Sequence, residues 1–290
     1  MNRCPSRQTR TGGMMLPGLL LGLLLTLPSP PAFSEGRLAG TGGVSSINGS
    51  GGGGLTGWAT LAGYADTGET SGTVYASRAD VDDFRLDVFG ASATFSNRLE
   101  IGLARQHFTI KAADARIEQD RFTAKWRMAG DLIYGKLPQL SLGVEHGRLR
   151  DTGTALALGA ADTQDTDYII SAARAWIDGL FHRTTLLNVN LRRSQANQYG
   201  ILGFGGDDPG REWHAEGALA WFATRNIAIG AEYRQKPDNL SALREQSARD
   251  LFLAWFPNKR VSVTAAWLDL GAIAGQSDQT GFYLSLQAAF

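Results

Sequence analysis

The feature that most limits what this chain can fold into is a set of short segments in which apolar and charged residues alternate with period two. In residues 121–128, Phe122, Ala124, Trp126 and Met128 share one side of an extended backbone, while Arg121, Thr123, Lys125 and Arg127 share the other. A sheet face bearing three cations is not a dry core, because burying unpaired charge costs more than the opposite face gains. Residues 212–221 repeat the design, with Trp213, Ala215, Gly217, Leu219 and Trp221 opposed to Glu212, His214 and Glu216. Residues 227–234 do so again, setting Ile227, Ile229, Ala231 and Tyr233 against Glu232 and Arg234. No long stretch keeps a helical period. The chain needs a sheet whose one face meets an apolar medium and whose other face meets polar surroundings.

About twelve such strands are expected, near 55–64, 84–96, 98–110, 120–134, 139–149, 166–177, 181–193, 211–222, 227–235, 248–256, 260–269 and 280–290. Many reach the roughly 9–11 residues that cross a bilayer at a tilt. Tight connections at Asn97, 135–138, 178–179, 224–226 and 257–259 alternate with longer polar ones at 65–83, 111–119, 150–165, 194–210, 236–247 and 270–279. That rhythm predicts an all-β fold: a transmembrane, antiparallel, up-and-down β-barrel in the outer membrane, with short turns and both termini in the periplasm. Aromatic residues divide accordingly. Tyr134, Trp176, Phe181, Trp221, Phe222, Trp255 and Phe256 sit beside short turns; Phe84, Phe108, Tyr168, Trp213, Tyr233, Trp267 and Phe282 sit near the long loops. Two interfacial girdles are the expected result.

Residues 1–34 have the layout of a cleaved secretory signal. Arg3, Arg7 and Arg10 precede an apolar run over 14–27, and Ala32, Phe33 and Ser34 offer a cleavage site. Cys4, the one cysteine, lies in that signal, so no disulfide or thiolate metal site is expected in the mature chain. Removing three basic residues leaves 25 basic against 28 acidic, which disfavours nucleic acid as a partner. The 36 glycines and the modest apolar share suit a sheet apolar on one face better than a soluble core.

The last strand places Phe282, Leu284, Leu286, Ala288 and Phe290 on one face and Tyr283, Ser285 and Gln287 on the other. A terminal aromatic preceded by alternate apolar residues fits the assembly signal read by the barrel-assembly machinery, here Phe282, Leu284, Leu286 and Phe290. Two strands are irregular. In 84–96 the apolar stripe changes parity near Gly90, which predicts a β-bulge there. In 55–64 apolar residues occupy both parities.

The glycine-rich entry, Gly36-Arg37-Leu38-Ala39-Gly40-Thr41-Gly42-Gly43-Val44-Ser45-Ser46-Ile47 followed by the glycines at 51–54 and Leu55, resembles the N-terminal signature of an uncharacterised proteobacterial family, a domain of unknown function (DUF3034). The resemblance implies an outer-membrane location and brings no activity or catalytic residues. Residues 35–54 are either a flexible periplasmic lead-in, as their Gly/Ser content suggests, or a lumen plug anchored by Leu38, Val44 and Ile47; the barrel is expected over 55–290.

If the apolar stripes face lipid, the candidates for lining the lumen are Arg121, Lys125, Arg127, Asp131, Glu145, Asn188, Asn190, Arg192, His214, Glu216, Glu232, Arg234 and Asp250. The functional expectation is a monomeric, porin-like channel passing small solutes through this mixed-charge lumen. The alternatives are a non-conducting structural or surface-interaction barrel and an outer-membrane lipase-like enzyme. The enzyme needs a Ser/His pair with an orienting third group, yet His146 shares its face with Arg148, and His107 with Thr109. The four histidines fall on separate strands without ligand spacing, so neither a metal nor another cofactor is expected. The expected partners are outer-membrane lipid and lipopolysaccharide, the assembly machinery and an unidentified solute.

Overall fold

A computed structural model describes residues 40, 42–207, 210–241 and 243–290. The signal segment and Leu38 lie outside these residues. Twelve antiparallel strands close on themselves: β3 (Thr70–Val81), β4 (Phe84–Phe95), β5 (Leu99–Ile110), β6 (Ala115–Ala129), β7 (Gln139–Leu149), β8 (Gln164–Trp176), β9 (Thr185–Ser194), β10 (Glu212–Phe222), β11 (Ile227–Arg234), β12 (Ala248–Asn258), β13 (Val261–Asp269) and β14 (Thr280–Ala289). Two short strands, β1 (Val44–Ser45) and β2 (Gly51–Gly52), form a separate hairpin. Among the described residues no helix is long and apolar enough to cross a membrane.

The alternation seen in the sequence decides which side of each strand faces out. Phe122, Trp126, Leu142, Ile170, Leu191, Leu219, Leu251 and Leu284 are exposed, whereas Arg121, Lys125, Glu145, Arg192 and Glu216 on the intervening positions are buried. A continuous apolar exterior of this size is far beyond what a soluble monomer tolerates and is what a lipid bilayer covers. The expected outer-membrane barrel is therefore the observed one.

The seam joins the last strand to the first. β14 pairs with β3 from Gly281 opposite Val81 to Ala289 opposite Thr73. Phe290 then exchanges two backbone hydrogen bonds with Gly72, Gly72 N donating at 2.8 Å and Phe290 N at 2.9 Å. The Phe290 ring lies so close to Gly72 that a Cβ there would stand 2.6 Å from it. A side chain at position 72 would displace the terminal ring from the seam.

Four expectations need correction. The first wall strand is Thr70–Val81, not 55–64, and its far connection is only residues 82–83 instead of a long outer loop over 65–83. Residues 55–65 are buried throughout, inside the barrel, which is why apolar residues occupy both of their parities. There is no bulge at Gly90: β4 keeps one register with β3 and β5 throughout, Gly90 facing Tyr75 and Ala104. The stripe changes parity because the interior itself changes character. Towards the long-loop end Phe84, Leu86 and Val88 point inward, with Phe84 stacked on Phe108 at 5.2 Å between ring centroids. The outward positions there hold ion pairs, Arg78–Asp87 at 2.6 Å and Arg85–Asp80 at 2.7 Å. Consequently Phe84 and Phe108 belong to an internal cluster and not to a girdle, and Phe256 near the short turns is also buried.

The occluded lumen as candidate functional site

Inward-facing side chains converge on the segment 42–65, which enters the barrel ahead of β3 and is buried along its length. Three glutamates from three different walls hold it. Glu100 on β5 accepts Gly51 N at 2.8 Å and Ala62 N at 2.6 Å. Glu145 on β7 accepts Asn48 Nδ2 at 2.8 Å and Ser50 Oγ at 3.2 Å. Glu232 on β11 accepts four donors, from Leu55 N at 2.7 Å, Thr56 N at 3.3 Å, Thr56 Oγ1 at 2.5 Å and Trp58 Nε1 at 3.0 Å. The carboxylates thus supply the acceptors that an irregular backbone needs when it leaves water.

The segment's carbonyls are answered by donors. Lys125 Nζ donates to Gly51 O and to Thr60 O at 3.0 Å, Asn190 Nδ2 to Gly57 O at 2.6 Å, and Arg234 Nη1 to Leu55 O at 3.1 Å. Asn188 Oδ1 accepts Ala59 N at 2.8 Å, while Gln139 and Ser141 both donate to Ala59 O at 2.6 Å. Far along the sequence, Ser45 Oγ donates to Gln287 Oε1 at 2.7 Å. Gly53 passes Glu232 so closely that a Cβ would come 2.1 Å from Oε1. A side chain there would push the Glu232 carboxylate away from its donors.

Beneath these contacts runs a buried ion network. Arg192 binds Glu145 at 2.7 Å, Asp167 at 3.1 Å and Glu216 at 2.6 Å. Arg121 reaches Glu145 at 3.1 Å, Arg234 reaches Glu216 at 3.1 Å and Lys125 reaches Glu100 at 3.7 Å. Asp250 accepts the backbone N of Glu232 at 3.2 Å across the β11–β12 pair.

The long loops close the other end. Residues 196–205 fold inward, burying Tyr199, Ile201, Leu202 and Phe204. The Arg234 guanidinium lies 4.4 Å from the Tyr199 ring centroid, a cation–π contact. Lys236, in the β11–β12 loop, donates to Gln198 Oε1 at 2.8 Å, Ala272 O at 2.9 Å and Leu270 O at 3.0 Å, tying three loops together. Between this cap and the inserted segment, a void of about 30 Å³ lies among Ile47, Leu55, Phe108, Tyr199 and Tyr283; towards the short turns another of about 20 Å³ lies beside Val44, Trp58, Phe222 and Phe256. Such spaces hold a water or two at most. Among the described residues, the buried segment 42–65 and the loop cap occupy the lumen.

Glu245, in the same loop as Lys236, accepts Gln198 N at 2.6 Å. Burial pushes its carboxyl up to about 7, outweighing the attraction of Lys236 at 3.7 Å. A carboxyl whose folded pKa exceeds its unfolded one binds more protons when the cap is closed, so closure is favoured at low pH. Its stability falls as pH rises from about 4.5 to about 7. Limited proteolysis of the 195–211 and 235–247 loops should accordingly be several-fold faster at pH 8 than at pH 5. Glu245→Gln should flatten that difference, and an equally steep profile in the variant would remove Glu245 as its cause.

Of the residues expected to line the lumen, eleven are buried and face inward: Arg121, Lys125, Glu145, Asn188, Asn190, Arg192, His214, Glu216, Glu232, Arg234 and Asp250. They do not border an open path; most bond the inserted segment or one another. Arg127 and Asp131 differ, since they pair with each other at 3.0 Å and shape the turn after β6, where Asp131 Oδ1 accepts Ile133 N and Tyr134 N. Val44 and Ile47 are buried within the barrel. Phe282, Leu284 and Phe290 face outward, as the terminal-strand pattern requires. Glu100, Asp167 and Gln106 were not foreseen, although each occupies the inward parity of its strand.

Comparison with known proteins places this architecture. No curated protein matches the sequence. Among solved structures, a KdgM porin in complex with disordered oligogalacturonate is 10% identical and aligns over 75% of this chain and 99% of its own, with a TM-score of 0.50. The NanC porin is 8% identical over 76% of this chain and 98% of its own, with a TM-score of 0.48. The outer membrane protein Omp33 of Acinetobacter baumannii is 10% identical over 78% and 99%, with a TM-score of 0.45. At 10% identity the likeness to the KdgM porin concerns the fold alone, a closed antiparallel β-barrel. The family model for a protein of unknown function (DUF3034) matches residues 41–287, nearly the whole barrel with its inserted segment, and the chain belongs to that family.

Proposed function

We propose that this protein is a normally shut outer-membrane channel for small polar solutes, opened when the segment 42–65 leaves its seat. The observation that carries the reading is the nature of that seat. Beside the apolar contacts of Val44, Ile47, Leu55 and Trp58, the segment is held by many hydrogen bonds to charged and amide side chains of the wall, contacts that water replaces at little net cost. Withdrawal would expose a ring of both signs, with Arg121, Lys125, Arg192 and Arg234 facing Glu100, Glu145, Glu216 and Glu232. Such a lining is wettable and weakly selective.

In this reading the barrel is a monomer with the short turns and chain ends in the periplasm, and the terminal strand presents Phe290 to the assembly machinery. Catalysis is not part of it. His146 Nδ1 hydrogen-bonds Thr166 Oγ1 at 2.9 Å, a poorer nucleophile than serine, and no carboxylate orients the ring among its described contacts.

Planar-bilayer recording of the refolded mature chain tests the proposal. The wild type should show rare openings, and a variant lacking 42–65 a steady current. Should that deletion fail to fold, Glu232→Ala, which removes the acceptor of four of the segment's donors, gives a second measurement: its openings should be far more frequent than those of wild type. A folded barrel that stays silent in the deletion and in Glu232→Ala alike overturns the channel reading.

A further inference from the structure

Several outward cations have no carboxylate beside them, and two of them stand over one groove. Along the long-loop edge most outward arginines have carboxylates: Arg78 with Asp87, Arg85 with Asp80, Arg105 with Asp120 at 2.8 Å, and Arg249 with Asp269 at 2.7 Å. Arg116 at the start of β6, Arg148 on β7 and Arg193 on β9 have no ion-pair partner among the described residues, and of these Arg148 and Arg193 flank β8. Arg148 stands opposite Asp120, but that carboxylate already takes Arg105 and, at 3.1 Å, Arg150. Arg193 stands between two outward aromatics, opposite Tyr168 on one side and Trp213 on the other.

Below these cations the wall is hollowed. A groove of about 380 Å³ on the lipid side is lined by Leu99, Trp126, Leu142, Val144, Tyr168 and Trp213, with the small residues Ala124 and Gly143 in its floor. Across β8, Arg148 faces Gln164 and Arg193 faces Tyr168. Those positions are four residues apart, about 13 Å along the strand. The His146–Thr166 hydrogen bond lies between them.

We infer that this sector is a binding site for a bisphosphorylated glycolipid of the lipid A type, with an acyl chain in the groove and a phosphate on each arginine. A guanidinium offers two parallel donors to a phosphate, and at the edge of an apolar belt, partly shielded from water, that pairing is stronger than in solution. Two cations spaced along the wall match a head carrying two separated phosphates, whereas a single-phosphate lipid meets one. Aromatic flanks at the headgroup level complete the fit. The inference depends on the barrel's exterior and is independent of whether the lumen conducts.

Native mass spectrometry of the refolded mature chain in non-ionic detergent, titrated separately with lipid A, monophosphoryl lipid A and phosphatidylglycerol, tests it. One lipid A should be retained, with monophosphoryl lipid A about tenfold weaker. Arg148→Gln and Arg193→Gln should each weaken lipid A by about tenfold, and the pair by about 100-fold. Ala124→Trp should weaken it with both arginines in place, by filling the groove floor. Retention unchanged in the double variant, or phosphatidylglycerol bound as tightly as lipid A, overturns the assignment. Heat-modifiable electrophoretic migration verifies that each variant is a folded barrel.

Discussion

Glu232→Ala should raise the open probability of the barrel by about 100-fold, the equivalent of about 2.7 kcal/mol of lost closure. One carboxylate accepts four donors from residues 55–58, so truncation leaves several buried donors at once without an acceptor. Each such donor costs about 1–3 kcal/mol if it stays dry, and the segment escapes that cost by leaving its seat. Gln at the same position keeps one acceptor oxygen and should show a much smaller rise. Single-channel recording of the three proteins side by side gives the ranking. If Glu232→Ala is as silent as wild type while Arg234 and Lys125 variants open it, the glutamate is not the principal anchor.

A larger effect on stability is expected at Arg192. Its guanidinium is the shared partner of Glu145, Asp167 and Glu216, all buried, and Arg192→Met would leave three carboxylates gathered without their main cation. Breaking a buried pair by removing one partner costs about 3–5 kcal/mol, and here the network offers only Arg121 and Arg234 as remaining relief. Urea unfolding of the refolded barrel should show a midpoint lowered accordingly, with part of the loss recovered when Glu145→Gln and Glu216→Gln are added. No recovery in the triple variant would mean that the loss comes from packing and not from stranded charge.

Much of this was legible from residue order because lipid and lumen impose opposite demands on adjacent positions. Strands such as Ala115–Ala129 and Glu212–Phe222 carry that opposition openly, and their inward charges are where parity placed them. Thr70–Val81 hides it: its outward positions are Thr70, Gly72, Val74, Ala76, Arg78 and Asp80, too small and too polar to read as a lipid stripe. Gly72 is small because it must admit Phe290, a constraint set by the other end of the chain. The parity change in Phe84–Phe95 suggested a bulge, whereas an apolar interior produces the same pattern. Only the inward stacking of Phe84 on Phe108 under the loop cap decides between them. Glu100 followed the same inward rule as Lys125, opposite which it pairs, and was discernible from parity alone. The inward folding of residues 196–205 was not, since it depends on partners such as Arg234 and Lys236 that lie beyond the next strands.

The position of residues 42–65 ahead of every wall strand has a consequence for how the molecule is made. Ser45 and its partner Gln287 are separated by 242 residues, and the seam between β3 and β14 spans nearly the same interval. Contacts of such separation are slow to form, because the entropy of closing the loop is lost before the contact returns anything. The earliest part of the barrel-forming chain therefore waits for the last. Glu100, Glu145 and Glu232 stand on β5, β7 and β11, so the seat of residues 42–65 is complete only when strands from most of the chain's length are side by side.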